Sequence, residues 1–584
     1  MASALPLGST PAAERWLLGR RADLYVGCGL AYLVSIPILL ALAWTTGARA
    51  FPVTIVVLIT LLLNGPHYGA TLLRVYEQRE DRRRYAFFAV HVTWMVAALL
   101  VAATWNVWIA SLLLTAYVTW SPWHFSGQNY GLTLMFLRRR GVAVDPLSKR
   151  LLHGSFVLSS LLAMLAIHAG LEGAVFAPAT LQVANVPEVM RLVLPSPLLE
   201  IVGGSLLCGY LGCLGIAGWR LSARAPARVF VPAVLLVVNQ ALWFTVPALL
   251  AAFGALDAMS LVFASVWVNA AHSAQYLWVT AYYSGRSRSG GTLRGFLVRS
   301  LVAGTAVTTL PALLLAPHLL GGLPWDAGLA AVLFSAVNLH HFLLDGAIWK
   351  LRDGRVARVL LREAAAAHDG PSPLDERRWP RRLVWTLAAS SLVVPVLVIT
   401  QFNAVRLASN VREADRAIAI LRWTGHETTE VHVRLADRFA AGQNHERALR
   451  HYQRSIELFP TGRAWTGLGL QQRALGNWDA ALHAFDRAVE LTPELFRLPY
   501  WRAEALLAVD ARAATRLHRG EAVALLERML ELAPGDAAAA TLLARVQAEE
   551  GQRSAAIGTL EAALGVAADA DRDRLQAEIA VLRY

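Results

Sequence analysis

The sequence predicts an all-α protein with two parts: a polytopic transmembrane helical bundle of about eleven spans, followed by a helical-repeat solenoid. Two observations lead to this prediction. The chain of 584 residues is 56% hydrophobic and only 16% charged, with a mean hydropathy of +0.44, whereas soluble domains carry about 25% charged residues. The C-terminal part differs in composition and contains an internal repeat, which is typical of stacked helical hairpins.

The apolar segments define the helices of the membrane part, because a span needs about 20 largely apolar residues. Eleven segments are candidates: 23–46, 51–75, 86–104, 106–123, 151–171, 198–219, 229–253, 256–283, 293–315, 327–350 and 382–403. They predict a membrane domain over residues 1–403, a linker over 404–427 and a repeat domain over 428–584.

Loop charge predicts the orientation of these spans. Basic loops such as RVYEQREDRRR alternate with loops that carry no basic excess, such as GALD. By the positive-inside rule the N-terminus is cytoplasmic, and eleven crossings place the repeat domain in the periplasm of a bacterial inner-membrane protein. The formal net charge of +13 is therefore interpreted as loop charge. Without a basic stripe and interleaved aromatic residues, we expect no nucleic-acid partner.

The C-terminal repeat matches the tetratricopeptide pattern, in which small residues let paired helices approach and large residues fill the gap between pairs. In the clearest unit, the matching positions are Trp465, Leu468, Gly469, Gly476, Ala481, Phe485, Ala488 and Pro493. One unit precedes it and two weaker units follow, with an insertion expected near FRLPYWRAE. The pattern predicts about four helical hairpins whose concave face binds a protein partner. A purely structural appendage is the alternative.

Histidines within the predicted spans mark a candidate site, because ionisable side chains are costly to bury in lipid. By the predicted topology, six of them share the cytoplasmic half of the bilayer. His91 has no polar neighbour and is interpreted as a packing residue. The other five are the predicted metal ligands, because neutral imidazole binds iron, zinc or copper well: His67, His124, His272, His340 and His341. A proton relay in a transporter is the competing interpretation.

Polar neighbours are expected to orient these ligands, because a ligating histidine usually donates its second N–H to a carboxylate, amide or carbonyl. The predicted outer shell contains Asn64, Gln128 and Asn338. Asp345 lies four residues after His341 and therefore on the same helical face. We expect Asp345 to be a ligand or an orienting partner. Tyr276 is predicted to orient ligands or substrate in the same site.

Three short motifs, GPHYGA, SPWHFSGQ and HSAQY, resemble those of the Brp/Blh group of bacterial membrane β-carotene 15,15′-dioxygenases. The resemblance implies an iron enzyme that uses O2 to cleave the central double bond of β-carotene, giving retinal. The iron ligands that it implies are His67, His124 and His272. The sequence departs from the family pattern in three places: Tyr68 is inserted into a PHGA element, Gln128 or Asn129 replaces an acidic residue, and Tyr276 replaces a final histidine.

Together these observations predict a membrane-embedded, histidine-ligated iron enzyme, an oxidoreductase or dioxygenase. Its expected partners are membrane lipids and a lipid-soluble substrate such as a carotenoid or another isoprenoid. One alternative is a non-enzymatic membrane scaffold or transporter whose repeats bind a protein partner. Another is a glycosyltransferase that uses a lipid-linked sugar. Such transferases usually carry acidic residues in the first outer loop, and TTGARAFPV has none, which argues against this class.

Overall fold

The computed structural model describes residues 15–35, 59–77, 79–170, 186–192, 194–255, 258–286, 292–349, 354–361, 378–407, 411–493 and 495–583. Every regular element in these ranges is a helix, as predicted. The chain divides into two compact units. The N-terminal unit contains residues 1–176, 187–323 and 328–426, and the repeat unit contains 177–186, 324–327 and 427–584.

The described part of the N-terminal unit contains sixteen α-helices. They are α1 (Arg20–Ala22), α2 (Gly65–Tyr76), α3 (Arg79–Arg84), α4 (Thr93–Ala103), α5 (Val107–Arg139), α6 (Pro146–Gly170), α7 (Ser196–Ser222), α8 (Ala227–Gln240), α9 (Val246–Ala252), α10 (Ala258–Arg286), α11 (Leu293–Leu314), α12 (Ala330–Ile348), α13 (Gly354–Leu361), α14 (Arg378–Ser390), α15 (Val393–Leu407) and α16 (Val411–Trp423). Short π-helical segments adjoin several of them. Thr60–Asn64 leads into α2, and Trp325–Leu329 leads into α12. Such segments are frequent at functional sites.

Six helical segments of the described ranges are long and apolar enough to cross a membrane: Pro146–Ala169, Ser196–Ser222, Ala227–Ala252, Leu293–Leu314, Trp325–Ile348 and Arg382–Val405. They correspond to six of the eleven predicted spans, so the described residues support fewer spans than predicted. The third predicted span is apolar but shorter, Phe87–Ala103. Helices α5 and α10 are long but carry many polar side chains. The first two predicted spans and the TTGARAFPV loop lie partly or wholly outside the described residues.

The fourth predicted span ends much later than the sequence suggested. Its expected end is residue 123, but α5 continues to Arg139. The start is confirmed, because the Asn106 side chain caps the first turn. The polar residues beyond position 123 do not end the helix, since they are buried against other helices: the Asn129 amide donates to Gln240 over 3.2 Å. His124 therefore lies near the middle of a 33-residue helix, about 50 Å long, rather than at the end of a span.

Helices α2 and α11 cross at a contact between small residues. A Cβ on Gly69 would lie 1.8 Å from the Ser300 carbonyl oxygen, and a Cβ on Gly304 would lie 1.6 Å from the Gly65 carbonyl oxygen. Pairs of small residues four positions apart allow two backbones to approach this closely. His67 is two residues from each glycine of α2 and therefore projects from the opposite side of the helix. The GPHYG motif thus packs one face of α2 and presents a histidine on the other.

The predicted linker is helical over much of its length. Helix α16 occupies residues 411–423 and packs beside α15. Ala414, Ala417 and Leu421 are buried at intervals of three and four residues, which is the spacing of one helical face. The segment between the two units is therefore a packed helix of the N-terminal unit.

The repeat unit contains α17 (Thr429–Ala441), α18 (His445–Leu458), α19 (Gly462–Ala474), α20 (Trp478–Leu491), α21 (Leu498–Ala513), α22 (Arg519–Leu532), α23 (Ala537–Glu549), α24 (Arg553–Val566) and α25 (Asp569–Arg583). The first eight helices form four successive hairpins, which confirms the prediction. Helix α21 begins within FRLPYWRAE and has 16 residues, whereas α17, α19 and α23 have 13 each. The expected insertion is therefore accounted for by a longer first helix in the third hairpin and by longer connections on both sides of it, at 492–497 and 514–518.

Glycines and aromatic residues fit together both within a hairpin and between successive hairpins. A Cβ on Gly467 would lie 2.3 Å from the Tyr452 ring, and a Cβ on Gly469 would lie 2.5 Å from the Phe485 ring. The Phe485 side chain is fully buried. These glycines are therefore required by the large rings that fill the gap between helices, as the repeat pattern predicts.

Candidate metal centre

Four of the five predicted ligands meet inside the N-terminal unit. His67 comes from α2, His124 from α5, His272 from α10 and His341 from α12. The His67 ring centroid lies 4.1 Å from that of His341 and 4.9 Å from that of His272. The His124 centroid lies 5.1 Å from those of both His272 and His341. We call these four residues the histidine cluster.

Each imidazole of the histidine cluster has at least one buried ring nitrogen without a hydrogen-bond partner among the described residues. In the part of the chain that the structure describes, no hydrogen-bond partner is found for Nε2 of His67, His124 and His341 or for either ring nitrogen of His272. Burying a polar group without a partner costs free energy, and a metal ion would repay that cost. Two sets of donor atoms lie within 4.8 Å of one another: His67, His272 and His341, and His124, His341 and Asp345. The residues present therefore fit a metal ion bound by imidazole and carboxylate.

Two phenylalanines stack on rings of the cluster. Phe125 lies 4.1 Å from the His272 ring at an interplanar angle of 26°. Phe342 lies 4.2 Å from the His124 ring at 23°. Each phenylalanine directly follows a cluster histidine in the chain, so one short stretch of helix supplies both a donor and an apolar wall. These rings restrict the orientation of the imidazoles and keep water away from them.

A hydrogen-bond network joins Asp345 and Tyr276 to the cluster. The Tyr276 hydroxyl donates to Asp345 Oδ1 over 2.8 Å and accepts from Trp349 Nε1 over 3.0 Å. Thr71 Oγ1 lies 2.6 Å from the Tyr276 hydroxyl, 2.9 Å from His341 Nδ1 and 3.1 Å from Asp345 Oδ1. The other carboxylate oxygen, Asp345 Oδ2, lies 3.3 Å from His341 Nε2. Asp345 therefore lies where both predicted roles, a metal ligand and an orienting partner of His341, are geometrically possible.

The structure places His340 outside the cluster. Its Nε2 lies 2.8 Å from Thr93 Oγ1, which in turn lies 2.8 Å from the Tyr76 hydroxyl. Successive residues on an α-helix point about 100° apart, so His340 and His341 cannot face the same centre. Of the two predicted ligands His340 and His341, only His341 lies in the histidine cluster.

The predicted outer shell is only partly assembled. Asn64 Oδ1 accepts from Ser273 Oγ over 3.0 Å, and Ser273 Oγ lies 3.3 Å from His67 Nδ1. The Gln128 amide donates to the backbone carbonyl of His272 and to Gln275, at 3.3 and 3.0 Å, so it supports the helix rather than the imidazole. The Asn338 amide donates to the Phe334 carbonyl of its own helix over 2.8 Å.

Two hydroxyl residues that touch the imidazoles were not predicted from the sequence. They are Thr71 and Ser273. Both were detectable, because Thr71 lies one helical turn after His67, on the same face of α2, and Ser273 directly follows His272. Threonine and serine are common on buried helix surfaces, however, so residue type alone does not distinguish them.

Comparison with known proteins identifies the repeats of the C-terminal unit. The tetratricopeptide repeat family matches residues 462–495 and 519–579. The chain therefore carries C-terminal tetratricopeptide repeats, which support the binding of a protein partner in general. No curated protein matches the chain, and the resemblance to the Brp/Blh group finds no support in these comparisons.

Two solved structures resemble part of the chain. One is the crystal structure of TTC0263, a thermophilic TPR protein in Thermus thermophilus, at 24% identity and a TM-score of 0.23; the match covers 26% of this chain and 81% of that chain. The other is the MamA RS-1 ArsTM double mutant, at 19% identity and a TM-score of 0.22; the match covers 26% of this chain and 94% of that chain.

Proposed function

We propose that this protein is a bacterial inner-membrane metal enzyme that holds iron at the histidine cluster and oxidises a lipid-soluble substrate. A carotenoid or another isoprenoid is the substrate class that we propose, in keeping with the sequence resemblance. One observation supports the proposal above all others. Four imidazoles from four helices come together in the interior, and at least one buried ring nitrogen of each has no hydrogen-bond partner among the described residues.

The donor set favours iron over softer or harder metals. Imidazole suits iron, zinc, copper and nickel, and a mixed imidazole and carboxylate set with open positions is typical of non-haem iron that activates O2. In this proposal His67, His272 and His341 hold the ion, together with His124 or Asp345. Tyr276 holds the Asp345 carboxylate in place through its hydroxyl.

The exposure of the four histidines suggests the direction from which substrate arrives. The side chain of His124 is 11% exposed, whereas His67, His272 and His341 are at most 2% exposed. On the same helix, Trp120 and Trp123 are 38% and 45% exposed. A substrate dissolved in the bilayer would therefore reach the centre past His124, along an apolar surface of α5.

For the repeats we propose a periplasmic location and a protein partner bound on their concave face. This proposal depends on the alternation of basic and non-basic loops, with the N-terminus in the cytoplasm, and on an odd number of crossings. Reporter fusions after residues 407 and 583 test it, because both fusion points are expected on the periplasmic side. Activity of a cytoplasm-specific reporter at either point would reverse the assignment.

The experiment that tests the proposed function is the metal content of the full-length protein, purified in detergent without chelators and measured by elemental mass spectrometry. We expect about one iron per chain. His67→Ala and His341→Ala should lose the metal, since each removes a donor from the buried centre. His340→Ala is the matched control, because its neighbour is Thr93 and not the cluster; it should retain the metal.

Two outcomes would contradict the proposal. Wild-type protein without bound metal would exclude a metal enzyme, and equal loss in His340→Ala and His341→Ala would show that the cluster geometry does not determine binding. The tetratricopeptide repeats then favour a second function, a non-enzymatic membrane scaffold or transporter that recruits a partner. In that case the imidazoles form a buried polar cluster or a proton path.

A further inference from the structure

We propose that Thr71 and Ser273 are positioning residues, which fix His341 and His67 as the Nδ1–H tautomer and so direct both Nε2 lone pairs into the candidate metal centre. This inference deepens the proposed function and rests on it for its consequence, metal affinity. The tautomers themselves are a property of the protein without metal. A histidine binds a metal through the nitrogen that carries no proton, and the hydrogen bond made by the other nitrogen selects the tautomer.

Ser273 selects the tautomer of His67. A serine hydroxyl carries a single proton, and an amide carbonyl oxygen can only accept. The Ser273 hydroxyl donates that proton to Asn64 Oδ1 over 3.0 Å. Its remaining contact, at 3.3 Å from His67 Nδ1, is then favourable only if Nδ1–H donates to it. His67 Nε2 is left with its lone pair and has no protein partner.

Thr71 selects the tautomer of His341 by the number of protons available. Four short contacts link the residues around Thr71 Oγ1. They are Thr71 with His341 Nδ1, Thr71 with the Tyr276 hydroxyl, Thr71 with Asp345 Oδ1, and Tyr276 with Asp345 Oδ1, at 2.9, 2.6, 3.1 and 2.8 Å.

The hydroxyls of Thr71 and Tyr276 both donate to Asp345 Oδ1, and each carries a single proton. The two hydroxyls therefore supply only two protons for these four contacts. If His341 carries Nδ1–H, the ring adds a third proton to the network. If Nδ1 instead carries a lone pair, the Thr71 hydroxyl must donate to it, and one proton is lost from the contacts among Thr71, Tyr276 and Asp345. Contacts of this length between two oxygens are unfavourable without a proton between them. The network therefore favours Nδ1–H on His341.

This assignment has a consequence on the other side of the His341 ring. Nε2 then carries a lone pair 3.3 Å from Asp345 Oδ2, and the two atoms do not form a hydrogen bond. Two electron-rich atoms at this distance repel each other unless a positive charge lies beside both. Through its contact with His341 Nδ1, the Thr71 hydroxyl thus leaves His341 Nε2 and Asp345 Oδ2 free to bind the same cation.

The first test measures the tautomers without metal. Metal-free protein labelled with 15N-histidine, in lipid nanodiscs, gives separate nitrogen signals for the protonated and unprotonated ring nitrogens. The His341 signals are identified by their loss in His341→Ala. We expect Nδ1–H in wild type and in Thr71→Ser. In Thr71→Val, which is similar in size but has no hydroxyl, we expect Nε2–H, because only Asp345 Oδ2 can then accept from the ring.

The second test measures affinity for Fe2+ by competition with a chelator of known affinity. We expect Thr71→Val and Ser273→Ala to bind about 10- to 100-fold more weakly than wild type, in the range found for residues that orient metal ligands. Thr71→Ser should restore binding to within a few-fold of wild type. Rescue by serine separates positioning from packing, since the serine variant loses the methyl group and keeps the hydroxyl.

The outcomes separate this inference from the proposed function. Nε2–H on His341 in wild type, or unchanged affinity in Thr71→Val, would overturn the inference while leaving an iron enzyme intact. Absence of metal binding in wild type with Nδ1–H on both histidines would overturn the proposed function and leave the tautomer assignment standing. If Thr71→Val does not fold, Ser273→Ala and the wild-type tautomers still decide the question.

Discussion

The histidine cluster of the N-terminal unit and the buried carboxylate of Asp510 in the repeat unit differ in how their polar atoms are satisfied. In the repeat unit, buried polar side chains such as Asp510 have partners: its carboxylate accepts from Thr515 and from the backbone N–H of His518, at 2.9 Å each. In the N-terminal unit, the four cluster histidines bring unpartnered nitrogens together. An arrangement that costs stability persists only where something else compensates for it. This difference is the one expected if packing organises the repeat unit and if, as we propose, the histidine cluster binds a metal ion.

The largest effect that we expect concerns packing in the repeat unit. Phe485→Ala should lower the free energy of unfolding of this unit by about 3–5 kcal/mol, because the buried ring leaves a cavity between the helices. Hydrogen exchange of residues 427–583 in the full-length protein measures it. Phe496→Ala is the matched control, since Phe496 is 49% exposed and its loss should cost less than about 1 kcal/mol. Equal costs at the two positions would contradict a packing-based repeat unit.

A second prediction concerns the acid stability of the N-terminal unit. Burial lowers the pKa of His426 to about 4, although its hydrogen bond to the Thr424 carbonyl opposes the shift. The folded state therefore excludes a proton that the unfolded chain accepts near pH 6.5. Stability should be unaffected by this group above about pH 6.5 and should fall between about pH 6.5 and 4, by roughly 3 kcal/mol at most.

Thermal unfolding of the full-length protein across this range, compared with His426→Gln, isolates the contribution of His426. Glutamine does not titrate, so the variant should lose less stability than wild type on acidification. Parallel curves for the two proteins would show that His426 is not buried in the neutral form.

The third prediction tests whether α2 and α11 cross at their glycines, and thermal unfolding of the full-length protein measures the expected effect. Gly69→Ala should destabilise the N-terminal unit by about 1–3 kcal/mol or more, because the added methyl group would overlap the Ser300 carbonyl of α11. Gly127→Ala is the control, since a Cβ at Gly127 meets no atom within 4 Å and alanine favours a helix. We expect the control to be neutral or slightly stabilising. A neutral Gly69→Ala would mean that α2 and α11 do not cross at their glycines.

The sequence predicted the repeat unit more completely than the N-terminal unit, and the reason is physical. Residues such as Gly469 and Phe485 contact each other within one hairpin, so their spacing along the chain records their contact in space. Hydropathy predicted the all-helical fold and several spans for a similar reason, because it is a property of neighbouring residues in the chain. The end of α5 was not predicted in this way, because Asn129 is polar in the sequence and meets its partner Gln240, from another helix, only after folding.

The candidate site shows the same limit. The sequence identified His67, His124, His272 and His341, because histidine is rare and costly in apolar helices. It could not separate His341 from His340, since that distinction depends on the rotation of α12. It also missed Thr71, whose contacts with Tyr276 and His341 join residues separated by more than 200 positions along the chain.

The smallest expected effect compares a buried side chain without hydrogen-bond partners, His272, with a buried side chain that has them, Asn239. Metal-free His272→Leu should be as stable as wild type to within about 1 kcal/mol, or slightly more stable. Neither ring nitrogen of His272 has a hydrogen-bond partner among the described residues, so leucine removes two unpaired polar groups. Asn239→Leu is the matched contrast. The Asn239 amide donates to the Cys28 and Leu235 carbonyls at 2.8 Å each, so its loss should cost about 1–3 kcal/mol.

Thermal unfolding of the metal-free and iron-loaded proteins measures both effects. Iron should raise the stability of wild type and Asn239→Leu, because a ligand that binds only the folded state stabilises it, and should leave His272→Leu unchanged. A large loss of stability in metal-free His272→Leu would mean that the imidazole is a structural group like Asn239. The histidine cluster would then be organised as the repeat unit is, by packing and paired polar groups.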